Sequence, residues 1–213
     1  MDVYTLLIQL LNGVQYGLLL FLVASGLTLI FGIMGIINLA HGSFYMIGAY
    51  MAFSLASLTG NLFVAIVVGI VLSVVLGIVL EWALFSRLYE RDHLEQVLLS
   101  YGLILVFEEL RSLIVGNDVH GVAVPALLDA SIPLTATLSY PVYRLFMSAV
   151  CLLLAGALYL LIHRSRLGMM IRAGASNREM VASLGVNIRL VYRLVFALGL
   201  AVAAFPGVVA APV

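Results

Sequence analysis

The most constraining feature of this sequence is a stretch of 78 residues, positions 3–80, that contains no Asp, Glu, Lys or Arg. A soluble fold of that length would need charged side chains on its outer surface. The hydrocarbon core of a bilayer is about 30 Å thick and takes roughly 20 helical residues per crossing. The stretch therefore has room for about three crossings with short turns, and it predicts an integral membrane protein.

Composition agrees with this prediction and excludes several classes of function. The chain is 64% hydrophobic and 9% charged, whereas soluble domains are about 25% charged. Its formal net charge is zero, so no overall basic field attracts nucleic acid. The single cysteine, Cys151, excludes disulfides within the chain and Cys-rich zinc sites. No catalytic motif and no metal site are predicted.

All ten Lys or Arg residues are arginine, and the absence of lysine restricts how this chain could bind ATP. An ordinary P-loop needs a lysine on the nucleotide phosphates. This chain therefore has no ordinary P-loop, and no cofactor is expected in it. If ATP drives its work, the ATP and its magnesium ion must bind to another subunit.

The long apolar runs predict an all-α fold with about six transmembrane helices, because backbone inside a bilayer must satisfy its own hydrogen bonds. The predicted spans are residues 5–31, 43–58, 62–85, 96–115, 141–163 and from 190 to the end. A charged loop, 86–95, follows the third span, and a polar segment, 164–189, follows the fifth. Residues 116–140 contain Gly, Pro, Asn and Asp, which is typical of a loop.

The distribution of arginine predicts the orientation of the chain in a bacterial-type cytoplasmic membrane. Six of the ten arginines lie in residues 164–193, and Arg87 and Arg91 lie in the 86–95 loop. Counting spans puts these two loops on the same side, and arginine-rich loops face the cytoplasm. The 116–140 loop has no arginine and falls on the other side. The sequence therefore predicts a multi-pass protein with its N-terminus outside.

A run of small and polar residues interrupts the apolar sequence between the first two spans. Helix breaks are predicted at its glycines, Gly32, Gly35 and Gly42, because glycine permits tight turns. The same run contains three polar residues, namely Asn38, His41 and Ser43. Broken helices with polar groups recur at the substrate sites of transporters, which makes this run a candidate translocation path or gate. The alternative is a cytoplasmic turn in which Asn38 and Ser43 cap helix ends.

A second informative segment covers residues 168–187. Ser176 or Asn177 is a good helix N-cap, and Glu179 follows Ser176 at the spacing of a capping box. Gly185 suits the position just past a helix end. Three apolar residues share one face by their spacing, namely Met180, Val181 and Leu184. A short amphipathic helix is therefore predicted, which either docks on a partner or lies on lipid headgroups with its arginines.

A charged tetrad, Glu108-Glu109-Leu110-Arg111, stands near the outer end of the fourth span. One interpretation is a helix end on which Arg111 pairs with Glu108, one turn before it. The other is a contact for a soluble partner outside the membrane.

Residues 26–50 carry a family resemblance. The order Gly26-Leu27, Phe31-Gly32 and then Asn38-Leu39-Ala40-His41-Gly42 resembles the start of the permeases of branched-chain amino-acid ABC importers, the LivH type. The 168–187 segment resembles the cytoplasmic coupling loop of the same family. Glu179 and Gly185 are spaced like the glutamate and glycine of the wider ABC-importer loop, although Met180 and Val181 replace its usual alanines.

This resemblance implies a single transmembrane permease domain over residues 1–213, expected to be the N-terminal part of an eight-span permease that is truncated here. The implied protein is not an enzyme. It transports branched-chain amino acids or related small amino acids and amides. The implied partners are a second, homologous permease subunit, two ATP-binding subunits at the cytoplasmic face and a periplasmic solute-binding protein. The residues implied to couple to the ATPase lie in a 164–189 coupling loop and are Arg172, Ser176, Arg178, Glu179, Leu184 and Gly185.

The competing hypothesis is an ATP-independent channel or a secondary transporter for a small polar solute. Secondary transporters often keep ionisable residues at membrane depth to bind coupling ions. The first three spans are expected to hold none there, which counts against this hypothesis.

Overall fold

A computed structural model of the chain describes residues 3–89, 91–116, 118, 121–133 and 139–212. Its helices are α1 (Val3–Met34), α2 (His41–Thr59), α3 (Leu62–Ala83), α4 (His93–Val115), α5 (Val142–Arg164), α6 (Arg166–Ser176), α7 (Arg178–Ser183) and α8 (Ile188–Ala210). A short 3-10 helix, Phe85–Arg87, follows α3. Two short antiparallel strands precede α5, β1 (Ser131–Pro133) and β2 (Ser139–Pro141).

The predicted helical membrane architecture is confirmed in outline. In the described part of the chain, four segments are long and apolar enough to cross a membrane, namely Val3–Met34, Leu62–Arg87, Val142–Arg164 and Ile188–Ala210. They match the first, third, fifth and sixth predicted spans. The second and fourth predicted spans form the long helices α2 and α4, which fall outside this set. The paired strands β1 and β2 lie at the end of the predicted 116–140 loop and are an addition to the all-helical prediction.

The last helix, α8, forms the centre of the bundle, and nearly all of its residues from Val195 to Val209 are buried. Three helices surround it, α1, α2 and α3. Each meets α8 through a glycine: Gly26 faces Gly199, Gly48 faces Ala204 and Gly77 faces Ala197. Small residues allow the backbones of membrane helices to approach closely. A β-carbon added at Gly77 would lie only 2.6 Å from the Cα atom of Ala197.

Two contacts between helices show which helix termini lie together at each end of the bundle. The Nε atom of Arg193 lies 2.8 Å from Glu81 Oε2, which joins the start of α8 to the end of α3. The hydroxyl of Tyr143 donates to the Val209 carbonyl at 2.7 Å, which joins the start of α5 to the end of α8. Eight of the ten arginines accordingly lie at one end, called the arginine end below. Arg111 and Arg144 lie at the other end.

Candidate functional site

The break between α1 and α2 depends on one glycine. Gly35 follows directly after α1 and has φ +66°, in the left-handed region that favours glycine. Gly32 lies inside α1 and Gly42 lies in the first turn of α2, so the prediction that these two break the helix was wrong. A glycine inside a helix costs only about 1 kcal/mol relative to alanine, which is too little to end a long helix.

The two polar residues of this connection point into the protein. Asn38 is buried, and its Oδ1 accepts a hydrogen bond from the backbone N–H of Ala40 at 3.0 Å. His41 is the first residue of α2, and its Nε2 lies 3.0 Å from the carbonyl oxygen of Val23 in α1. Because a carbonyl only accepts, Nε2 carries the proton. Asn38 Nδ2 and His41 Nδ1 have no hydrogen-bond partner among the described residues.

Ser43 does not cap a helix. The N-cap position of α2 is Ala40, which provides no side-chain hydrogen bond, and Ser43 is half-buried in the helix that follows. Asn38 stabilises the turn before α2 rather than the helix end itself. The connection is therefore a compact turn built on Asn38 and His41, and a role for Asn38, His41 and Ser43 in a path or gate stays a prediction.

At the arginine end, the predicted 164–189 segment forms two short helices, α6 and α7. Asn177 caps α7, because its Oδ1 accepts from the Met180 N–H at 3.0 Å. Ser176 is the last residue of α6 and has helical backbone, so the capping box that begins at Ser176 was wrong, whereas the alternative cap at Asn177 is confirmed. Gly185, with φ +87°, follows the end of α7 as predicted.

The apolar residues of α7 do not share one face. Val181 is buried, whereas Met180 is 63% exposed and Leu184, the residue after α7, is 75% exposed. Because α7 has only six residues, its packing between α6 and α8, rather than the spacing of its own apolar residues, determines which of its side chains are buried. The four implied coupling residues that bear charge or large apolar groups are exposed, namely Arg172, Arg178, Glu179 and Leu184. Three of them, Arg178, Glu179 and Leu184, lie in or directly after α7, and with the exposed Met180 they form a surface of mixed charge and apolar character, called the α7 surface below.

The α7 surface is connected to the transmembrane bundle through α6. A guanidinium nitrogen of Arg172 donates to the Ile162 carbonyl at the end of α5. A β-carbon added at Gly174 would lie 3.2 Å from Ile33 near the end of α1. These contacts connect α6, which directly precedes α7 in the chain, to the ends of α5 and α1.

The structure shows an ion pair at the arginine end that the sequence analysis did not predict. Glu81 is fully buried, its Oε2 accepts from Arg193, and its Oε1 accepts from the Tyr89 hydroxyl. Burial, together with this hydrogen bond, raises the pKa of Tyr89 well above its usual value, so the hydroxyl stays a donor. Glu81 lies in the last turn of α3, at the arginine end, so the expectation that the first three spans hold no ionisable residue at membrane depth stays a prediction. Because Glu81 and Arg193 are 112 positions apart, only their isolation in apolar sequence could have suggested the pair.

The two partners of this ion pair are expected to respond differently to mutation. The side chain of Arg193 is 35% exposed and that of Glu81 is 1% exposed. Arg193→Met leaves a buried carboxylate with only Tyr89, and should lower the free energy of unfolding by about 3 kcal/mol. Glu81→Gln keeps a hydrogen-bond acceptor and leaves an arginine that reaches solvent, so its cost should be about 1 kcal/mol.

Thermal unfolding of the two purified variants in detergent micelles tests this order. A larger loss of stability for Glu81→Gln than for Arg193→Met would contradict it, because an unpaired, buried Glu81 carboxylate would then cost less than an unpaired Arg193.

At the other end, Arg111 does not pair with Glu108. Its Nη1 donates to the Gly116 carbonyl at 3.0 Å, and its guanidinium lies 5.7 Å from the centre of the Tyr50 ring. Ion pairs among the described residues are Glu81–Arg193 and Arg91–Glu95. Glu108 and Glu109 are exposed, and a partner contact there stays a prediction.

Comparisons with known proteins cover nearly the whole chain. A family profile described as the permease component of the branched-chain amino acid transport system matches residues 9–212. The permease protein BraD of the high-affinity branched-chain amino acid transport system of Pseudomonas aeruginosa is 30% identical over 97% of this chain and 71% of its own length. The corresponding LivH of Escherichia coli K12 is 32% identical over 94% of this chain and 68% of its own length. No solved structure matches the chain significantly.

Proposed function

This chain belongs to the family of permease components of branched-chain amino acid transport systems, and from that membership we propose its function. It is the membrane-spanning permease subunit of an ABC importer for branched-chain amino acids or related small amino acids and amides, driven by a separate ATPase. The observation that carries the proposal is the unbroken family match over residues 9–212.

We propose that α2 and α4 also cross the membrane, which gives six spans. With 19 and 23 residues, they are roughly 28 and 34 Å long, close to the thickness of a bilayer core. α2 packs along α8 through Gly48 and Gly207. The charged residues of α4 are Glu95 in its first turn and Glu108, Glu109 and Arg111 within its last eight residues. The arginine end then faces the cytoplasm, and the N-terminus lies outside.

Coupling to the ATPase is proposed to run through the α7 surface. Two ATP-binding subunits would hold ATP and magnesium and dock at the arginine end, and a second permease would complete the path. A periplasmic solute-binding protein would deliver substrate at the other end. Closure of the ATPase pair would move α7, and α6 would transmit the movement to α1 and α5. The Asn38–His41 turn, next to the end of α1, would then lie at the inner gate.

Co-purification tests this function. The tagged full chain is extracted from native membranes in mild detergent, and accompanying proteins are identified by mass spectrometry against an untagged control. We expect an ATP-binding subunit and a second permease, together with ATP-dependent leucine uptake in vesicles from the same membranes. A chain that is recovered alone, with uptake that does not depend on ATP, would overturn the proposal and favour a channel or secondary transporter.

A further inference from the structure

A cavity of about 410 Å³ lies at the arginine end, between the end of α3, the 3-10 helix and the start of α8. Three arginines line it, Arg87, Arg189 and Arg193, together with Glu81, Trp82 and Tyr89. Among the residues that the structure describes, the lining thus carries three positive charges and one negative charge, which leaves two positive charges in excess.

The excess charge belongs to two particular side chains. Arg193 is already paired with the Glu81 carboxylate at 2.8 Å. Arg87 and Arg189 are exposed, and neither belongs to an ion pair among the described residues. Guanidinium groups bind phosphate oxygens with two parallel hydrogen bonds. Two guanidinium groups on one cavity, neither of them in an ion pair with a described residue, therefore fit an anion with several oxygens, such as a phosphate ester.

The position of the cavity indicates where such an anion would come from. It lies at the end of the apolar segment Leu62–Arg87, one of the four candidate membrane spans. Trp82, on its wall, is 65% exposed, and exposed tryptophan is typical of the level of the lipid headgroups. Basic pockets between membrane helices bind the headgroups of anionic lipids.

We propose that this cavity binds the phosphate group of an anionic phospholipid headgroup. Arg87 and Arg189 contact the phosphate, and Trp82 packs against the part of the lipid just below it. Glu81 serves to hold Arg193 in the wall, so that the two remaining arginines determine the charge of the site. A zwitterionic lipid is disfavoured because its ammonium group would lie beside them. This lipid site goes beyond the proposed transport function and requires only that the chain resides in a bilayer.

The chain offers a direct probe, because Trp82 is its only tryptophan. The purified full chain in a neutral detergent is titrated with short-chain phosphatidylglycerol, short-chain phosphatidylcholine or inorganic phosphate, and tryptophan fluorescence is recorded. We expect a saturable change with phosphatidylglycerol and at least about fivefold weaker binding of phosphatidylcholine and of phosphate. Equal responses to the two lipids, or phosphate binding as tight as that of phosphatidylglycerol, would overturn the lipid site.

Variants locate the binding. Arg87→Gln and Arg189→Gln should each weaken phosphatidylglycerol binding about fivefold. Both side chains are exposed, so the variants should fold, which thermal unfolding verifies. Arg166→Gln removes an exposed arginine at the same end but outside the cavity, and should leave binding unchanged. An equal loss in Arg166→Gln would show general attraction to the arginine end and would refute the cavity.

Discussion

Reversal of one charge, Glu179→Arg, is expected to abolish ATP-driven uptake while the chain still inserts and folds. Glu179 is exposed in the first turn of α7, in the centre of the proposed ATPase contact. Loss of one partner of a charge pair buried in an interface costs about 2–5 kcal/mol, or at least about thirtyfold in affinity. The expected cost to the fold is smaller, because Glu179 contributes only the favourable effect of an acid at a helix start, about 0.3–1 kcal/mol.

The measurements for Glu179→Arg are leucine uptake and the amount of ATP-binding subunit that co-purifies with the chain. Glu95→Arg is the matched control. Glu95 is also an exposed acid in the first turn of a helix at the arginine end, and it makes only a long contact of 3.9 Å with Arg91. We expect near-normal uptake in the control. Normal uptake in Glu179→Arg would refute α7 as the coupling element, and equal losses in both variants would indicate a general charge effect.

The class of the protein and its long helices could be predicted because the bilayer imposes them. An uncharged stretch from residue 3 to 80 has no stable alternative to membrane helices, since each backbone polar group must find its partner within the segment. The predicted spans accordingly lie within a few residues of the long helices. The helix boundaries moved where glycine was taken as a break, as at Gly42, which belongs to the first turn of α2.

Details that depend on contacts between distant segments could not be predicted. Gly32, Gly35 and Gly42 are chemically identical, and only the path of the chain gives Gly35 its positive φ. The spacing of Val181 with Met180 and Leu184 suggested one apolar face, whereas packing against neighbouring helices buries Val181 alone. Sequence spacing carries no information about a pair such as Glu81 and Arg193.

The segment that carries the family resemblance proves to be a packing unit. Gly26 and Gly48, near the two ends of residues 26–50, both lie against α8. His41, between them, holds the start of α2 to the Val23 carbonyl of α1. Part of this segment therefore serves to place α1 and α2 on the central helix.

The second large effect is a loss of stability expected for Gly77→Ala, because α3 approaches α8 closely at Gly77. The new β-carbon would lie 2.6 Å from the Cα atom of Ala197, and because that atom belongs to the backbone, the helices must separate. Overpacking of this kind costs about 1–3 kcal/mol. Thermal unfolding of the purified full chain in detergent should therefore show a clear loss of stability.

Gly69→Ala is the matched control on the same helix. Its β-carbon would lie 3.4 Å from a methyl group of Val208, an ordinary contact, so the variant should be neutral or slightly more stable. Both variants gain the same intrinsic helix propensity, and the difference between them measures the packing alone. Equal stabilities would contradict the close approach.

The same geometry predicts coupling between Gly77 and the buried ion pair. Gly77 precedes Glu81 by four residues and Ala197 follows Arg193 by four, so the two contacts lie one turn apart along the same helix pair. Separation of the helices at Gly77 lengthens the Glu81–Arg193 contact. The double variant Gly77→Ala with Arg193→Met should therefore lose less stability than the sum of the two single losses. Strict additivity would mean that the ion pair is intact in Gly77→Ala, and that α3 accommodates the methyl group without moving away from α8.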